Sequence, residues 1–187
     1  MNANDDGILV PRRLTLITGG ARSGKSALAQ KIGEAWRGQV CFVATATAGD
    51  QDMAERIARH RSERPTSWTT MESPVEVTSD ISGITEDSLV IIDCVTMWVS
   101  NLLLQGFELE KIEEEAAILA EFLGQREAPT VVVTNEVGLS IVPDNELARR
   151  YQDTLGRVNQ ALAHRAERAL FVSAGRITQL EKIEDIL

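Results

Sequence analysis

Gly19-Gly20-Ala21-Arg22-Ser23-Gly24-Lys25-Ser26 is the stretch on which the fold turns. Upstream, Leu14-Thr15-Leu16-Ile17-Thr18 is a short apolar run with β-branched residues, and it predicts a buried strand. Downstream, Ala27-Leu28-Ala29-Gln30-Lys31-Ile32 predicts a helix. Strand, glycine-rich loop and helix make the context that a G-x-x-x-x-G-K-[ST] phosphate loop requires. Glycines let the backbone curl so that successive N–H groups point inward at phosphate oxygens, and the helix N-terminus adds partial positive charge. Lys25 is then placed to reach the β- and γ-phosphates, and the Ser26 hydroxyl to bind Mg²⁺. The pattern predicts a nucleotide-binding α/β protein rather than a bare strand-to-helix turn.

Working outward, Val40-Cys41-Phe42-Val43-Ala44 reads as a second strand, with the small polar loop Thr45-Ala46-Thr47-Ala48-Gly49 at its C-terminal end. In open α/β sheets ligands sit along that edge. Leu89-Val90-Ile91-Ile92-Asp93 is a strand ending in a carboxylate, the Walker B arrangement that holds Mg²⁺ or its water opposite a phosphate loop. Thr130-Val131-Val132-Val133-Thr134 and Ala169-Leu170-Phe171-Val172-Ser173 read as further buried strands, the latter as the last. A GTPase would carry N-K-x-D for guanine and D-x-x-G after the Walker B strand, and neither stands at the corresponding strand ends.

Between the second strand and Pro65 lies a helix opened by Asp50 and Asp52, whose charge suits its N-terminus. Met53, Ile57 and His60 share one face of it, and Arg56 and Arg64 lie one turn to either side of His60. Arg59 and Arg61 adjoin His60 in sequence. Positive neighbours disfavour imidazolium and so keep the ring nucleophilic, while arginine forks match phosphate oxygens. Spacing alone leaves two readings open: a reactive histidine in a phosphate environment, or a half-buried histidine on a basic surface helix.

The remaining chain reads as scaffold. Trp68 to Pro74 is an extended segment carrying Glu72, and Val75 to Asp87 has no clear pattern. Thr96 to Leu103 is helical, and Phe107 to Arg126 is amphipathic, with Leu109, Ile112, Ala116, Leu119 and Leu123 as its stripe. The glutamates of that helix read as a solvated face rather than a metal cluster. Pro143-Asp144 opens a long helix with Leu147, Tyr151, Leu155, Val158 and Leu162 on one face. Arg149, Asp153 and Arg157 suit a salt-bridge ladder or a site, and Gly156 suggests close packing or ligand approach. His164 reads as a surface residue and Gly175 to Leu187 as a tail.

With 187 residues, the expected organisation is a loose leader over 1–13, where Ile8-Leu9-Val10 could add an edge strand, and one nucleotide-binding domain over 14–187. A formal net charge of −9 argues against a general nucleic-acid binder. Cys41 and Cys94, the two cysteines, lie in apolar runs and read as buried free thiols. No run is long enough to span a membrane and the start has no signal-peptide pattern, so a cytoplasmic location is expected.

Several blocks together resemble one family, the bifunctional adenosylcobinamide kinase / adenosylcobinamide-phosphate guanylyltransferases of cobalamin biosynthesis. The blocks are Thr18 to Ser26, Val43 to Ala46, Arg56-Ile57-Ala58-Arg59-His60-Arg61-Ser62-Glu63-Arg64-Pro65, and Trp68 to Glu72. Asp93 to Trp98 with Asn101 to Leu103, Thr134 to Gly138 with Ile141 to Pro143, and Leu147 to Gln160 complete them. They span Leu14 to about Gly175; the phosphate loop is generic, whereas the R-I-x-x-H-R-x-x-R-P and N-E-V-G blocks are specific. Gln152 stands where the family pattern has a basic residue, and the chain after Gly175 departs from it.

The resemblance implies a RecA-like, mostly parallel P-loop sheet flanked by helices, and two reactions. A triphosphate, ATP or GTP, phosphorylates the hydroxyl of the aminopropanol arm of adenosylcobinamide. GTP then guanylylates that phosphate to give adenosylcobinamide-GDP and pyrophosphate. It further implies that His60 carries GMP covalently, with Lys25 as the second catalytic residue. Thr45, Ala46, Thr47, Arg61, Ser62, Glu63, Arg64, Glu72 and Asp93 are placed around the nucleotide, and the assembly is a homotrimer. Rival readings are a P-loop small-molecule kinase with a structural His60, a descendant with one of the two activities, and a non-enzymatic nucleotide-gated module.

Overall fold

The computed structural model describes Gly7, residues 12–140 and residues 143–186. The expected leader and the Ile8–Val10 strand therefore lie outside the described residues, apart from Gly7, Arg12 and Arg13. The elements in chain order are β1 (Leu14–Gly19), α1 (Lys25–Ala35), β2 (Val40–Ala44), α2 (Gln51–Ser62), β3 (Thr69–Glu72), α3 (Val77–Ser82) and β4 (Leu89–Asp93). Next come α4 (Val95–Leu104), α5 (Leu109–Gln125), β5 (Thr130–Val133), α6 (Glu146–Arg165), β6 (Arg168–Ser173) and β7 (Arg176–Leu180).

The strands form one sheet in the order β3-β2-β4-β5-β1-β6-β7, parallel throughout except for the β6–β7 pair. β1 is thus internal, and β5 separates it from β4, which carries Asp93. Helices cover both faces, which is why β1, β2, β4 and β5 are buried at nearly every position instead of alternating with exposed polar residues. Leu14, Leu16, Val90, Ile92 and Val132 pack toward α4, α5 and α6 through residues such as Trp98, Leu119 and Val158. Ile17, Leu89, Ile91, Val131 and Val133 face the opposite way, onto Leu28, Ala29 and Ile32 of α1. Each such buried side chain stabilises by about 1.5–3 kcal/mol relative to exposure.

Some expectations need correction. The segment after Gly175 is no plain tail: Ala174 and Gly175 take positive φ values of 48° and 72° and turn the chain back into antiparallel β7. That is a two-residue hairpin, whose turn favours φ > 0 at both positions. The stretch without clear pattern contains α3, whose Val77 and Ile81, one turn apart, are buried. The long helix begins at Glu146, because the Asn145 side chain caps it by accepting from Ala148 N–H. Leu147 is 66% exposed and belongs to no buried face. Arg157 pairs with Glu113 of α5 at 2.9 Å, and Arg149 donates to the Pro143 carbonyl, so the two arginines do not build a ladder on α6. A Cβ on Gly156 would meet open space, so close packing does not explain that glycine. No helix among the described residues is long and apolar enough to cross a membrane.

Candidate active site

The phosphate loop is locked to β6 by its first glycine. Gly19 has φ +144°, and a Cβ there would lie 2.1 Å from the Val172 carbonyl oxygen, so no side chain fits. The loop is fastened a second time where Gly175 N–H donates to the Ser23 carbonyl at 2.9 Å. Gly24, at φ 109°, precedes α1 and turns the chain into it. The Lys25 side chain is buried in this frame, and Nζ donates to the Gly20 carbonyl at 2.6 Å and to Ser23 Oγ at 3.4 Å. Burial lowers the Lys25 pKa, and the nearby Cys94, Asp93 and Glu136 work against that shift.

Asp93, at the end of β4, lines the same cavity as Ser26, whose side chain favours its charged form. Desolvation raises its pKa, and Ser26, His60, Arg64 and Lys25 oppose the rise. A hydroxyl and a carboxylate brought together beside phosphate-binding groups are the donor set that Mg²⁺ takes. Thr45 holds this strand end in place: its Oγ1 donates to the Cys94 carbonyl at 2.7 Å and accepts from Cys94 N–H at 2.9 Å. The wholly buried Thr45 side chain is therefore a brace for the Asp93 segment. Burial and the neighbouring Asp93 push the Cys94 thiol up to about 11, and both cysteines are free, as the sequence led us to expect.

His60 stands across the same cavity. A cavity of ≈ 260 Å³ is lined by Lys25 and Ser26 of the phosphate loop, by Asp93, and by Met53, Arg56, Ile57, His60 and Arg64. The face read from spacing is thus turned toward the phosphate loop. Of the four arginines near His60, Arg56 and Arg64 line the cavity, and the Arg64 guanidinium also stacks 3.6 Å over the Phe42 ring. Arg61 instead pairs with Glu72 at 3.5 Å on the exposed rim. His60 is 57% exposed on this surface helix, and its Nδ1 lies 3.6 Å from Glu63 Oε2.

The other sequence-predicted residues fall into two groups. Ala21, Arg22 and Ala46 line the cavity, while Gly19, Gly20, Ser23 and Gly24 shape the loop beneath it. Thr47 Oγ1 donates to Asn101 Oδ1 at 3.2 Å, and Ser62 Oγ donates to the Arg59 carbonyl at 2.8 Å; both hydroxyls are thus engaged within the protein. Sequence reasoning noted the segment after β5 as a family block but gave it no role in the site. Asn135 lines the cavity, and Glu136 beside it accepts from Thr18 Oγ1 at 2.6 Å and from Asn159 Nδ2 at 3.1 Å. The signal was present as polar residues just past a buried strand, but their meaning depends on β5 lying next to β1. The glutamates of α5 pair with Lys111, Arg157 and Arg165, and no metal-holding cluster of His, Cys, Asp or Glu occurs among the described residues.

Comparison with known proteins places this cavity in a context. Residues 15–180 match the family model described as cobinamide kinase / cobinamide phosphate guanyltransferase. The chain is 42% identical over 161 residues to the bifunctional adenosylcobalamin biosynthesis protein CobP of Pseudomonas aeruginosa, covering 86% of this chain and 92% of the relative. It is 40% identical over 179 residues to the corresponding CobU of Salmonella typhimurium, covering 87% and 96%. Among solved structures, the RadB recombinase superposes with a TM-score of 0.50 at 16% identity, over 87% of this chain and 74% of that one. That last likeness concerns the fold alone, a P-loop, RecA-like sheet.

Proposed function

The chain belongs to the cobinamide kinase / cobinamide phosphate guanyltransferase family, and we propose that it runs both reactions from the one cavity shared by the phosphate loop and His60. It is a bifunctional transferase of adenosylcobalamin biosynthesis that uses nucleoside triphosphates. The observation that carries the single-cavity reading is that Lys25, Asp93 and His60 line the same space.

In the first reaction the hydroxyl of adenosylcobinamide attacks the γ-phosphorus of a triphosphate, and the bond to the β,γ-bridging oxygen breaks. Lys25 and the loop N–H groups stabilise the negative charge that leaves with the diphosphate. In the second, a ring nitrogen of His60 attacks the α-phosphorus of GTP and pyrophosphate departs, leaving GMP on nitrogen. A phosphate oxygen of adenosylcobinamide phosphate then attacks that α-phosphorus, the N–P bond breaks and His60 is restored. Arg56 and Arg64, lining the cavity beside His60, stabilise the charge at phosphorus in both halves. Ser26 and Asp93 fit Mg²⁺, which when bound would neutralise phosphate charge. The family resemblance supports a homotrimer and a cytoplasmic location.

The test is incubation with adenosylcobinamide and ATP or GTP, with corrinoid products separated by mass. We expect adenosylcobinamide phosphate with either the preferred donor alone or both, and adenosylcobinamide-GDP only with GTP. Phosphorylation that never proceeds to the GDP product would leave a kinase alone.

A further inference from the structure

The end of β5 is a part of the site's edge that the two reactions above do not use. Along the sheet's C-terminal edge it lies between Asp93 on β4 and the phosphate loop on β1. The parallel ladder runs on past the strand: Thr134 N–H donates to the Ile17 carbonyl at 3.0 Å and Glu136 N–H to the Gly19 carbonyl at 3.1 Å. Glu136 is thereby pinned beside the first glycine of the loop, where its charge is felt by Lys25. We propose that Glu136 is the general base of the kinase step, an assignment that rests on reading the phosphate loop as the cradle of the phosphoryl donor.

Glu136 is held in a way that suits this task. Thr18 Oγ1 and Asn159 Nδ2 both donate to Oε1, and among the described residues no donor falls on Oε2. Asn159 is fixed in turn, because its Oδ1 accepts from Thr134 Oγ1 at 2.7 Å and its Nδ2 also donates to the Asn135 carbonyl at 3.0 Å. One carboxylate oxygen is therefore anchored by strand and helix, and the other is left to accept a proton. Lys25 marks where the β- and γ-phosphates lie, and Asn135, the residue before Glu136, lines the same cavity, so an acceptor hydroxyl that enters it comes up beside this segment. Beyond Glu136 the chain makes a single 3-10 turn, Val137–Leu139, whose Leu139 is 74% exposed and gives that side an apolar surface. Asp93 is less suited, since with Ser26 it makes the pair that fits Mg²⁺. In the step itself, the proton of the substrate hydroxyl passes to Oε2 as the hydroxyl oxygen bonds to the γ-phosphorus. The bond from that phosphorus to the bridging oxygen breaks, and the nucleoside diphosphate leaves with the electron pair.

A carboxylate that only ties β1 to α6 would give the same hydrogen bonds, so the test must separate the two roles. Glu136→Gln keeps a carbonyl oxygen for Thr18 and Asn159 but cannot take the proton. We expect its kcat for adenosylcobinamide phosphorylation to fall by about 10²-fold or more, with KM for the triphosphate little changed. Labelling of His60 by GTP, and guanylylation of supplied adenosylcobinamide phosphate, should proceed at the unmutated protein's rate, which also reports that the variant is folded. A kinase kcat within about threefold of the unmutated protein, or both reactions falling together, would overturn the assignment. Absence of any corrinoid phosphorylation by the unmutated protein would instead overturn the kinase reading on which it stands.

Discussion

The phosphate loop and the His60 helix face each other across one cavity, yet they are built in opposite ways. The loop sits in the middle of the sheet, clamped under Val172 and tied to Gly175, and α1 behind it buries Leu28, Ala29 and Ile32. No residue of α2 is buried. That helix is attached by side-chain and edge contacts: Gln30 reaching the Glu63 carbonyl, Arg61 on Glu72 and Arg64 on Phe42. The difference suits the chemistry. Triphosphate must always meet the same fixed donors, whereas under the proposed mechanism a nucleophile that takes GMP and passes it to a bulky corrinoid would gain from a lightly anchored support.

The sharpest way to break this picture is Lys25→Ala. If one cavity serves both reactions, phosphorylation and guanylylation should both fall, each by about 10²–10³-fold, as expected for loss of one preorganised donor. Guanylylation at a full rate would mean that His60 works on a triphosphate held elsewhere. A smaller effect tests the architecture itself. Leu28→Ala in α1 should cost about 2–4 kcal/mol, while Ile57→Ala in α2 should cost about 1 kcal/mol or less. Urea unfolding of the two variants checks this, and equal losses would contradict the contrast between the regions.

Legibility in the sequence divides along the same line. The phosphate loop could be read because its residues are dictated by backbone geometry, as Gly19 under Val172 illustrates. Asp93 could be read because it ends a continuous apolar strand, and the His60 face because helical spacing put Met53, Ile57 and His60 together. Glu63 escaped notice as a partner of His60, since the arginines on either side drew attention to positive charge alone. Glu136 stood out only as part of the N-E-V-G block; its place beside the phosphate loop depends on strand order, which is set by long-range packing that no local pattern encodes. β7 was missed because all its residues are exposed and its turn uses Ala174 at positive φ, where asparagine or aspartate is the usual signal. Leu147 misled for the opposite reason: it keeps the helical period but lies beyond what α6 buries.

The subtlest expected effect concerns motion. Backbone amides of α2 should exchange hydrogen faster than those of α1, because exchange tracks local opening and α2 has little buried surface to resist it. GTP should slow exchange in α2 more than in α1. Equal protection of the two helices in the free protein would mean that α2 is as firmly seated as the loop it faces.

Covalent labelling tests the central claim most directly. The protein is incubated with GTP carrying label at the α-phosphate or at the γ-phosphate, digested, and the labelled peptide sequenced by mass. We expect α-label on His60 and none from the γ-position, with the adduct stable to alkali and released by acid, since protonating the nitrogen makes it a better leaving group. His60→Ala should take no label yet still phosphorylate adenosylcobinamide. Label on any other residue, or a full rate of guanylylation in His60→Ala, would contradict the assignment.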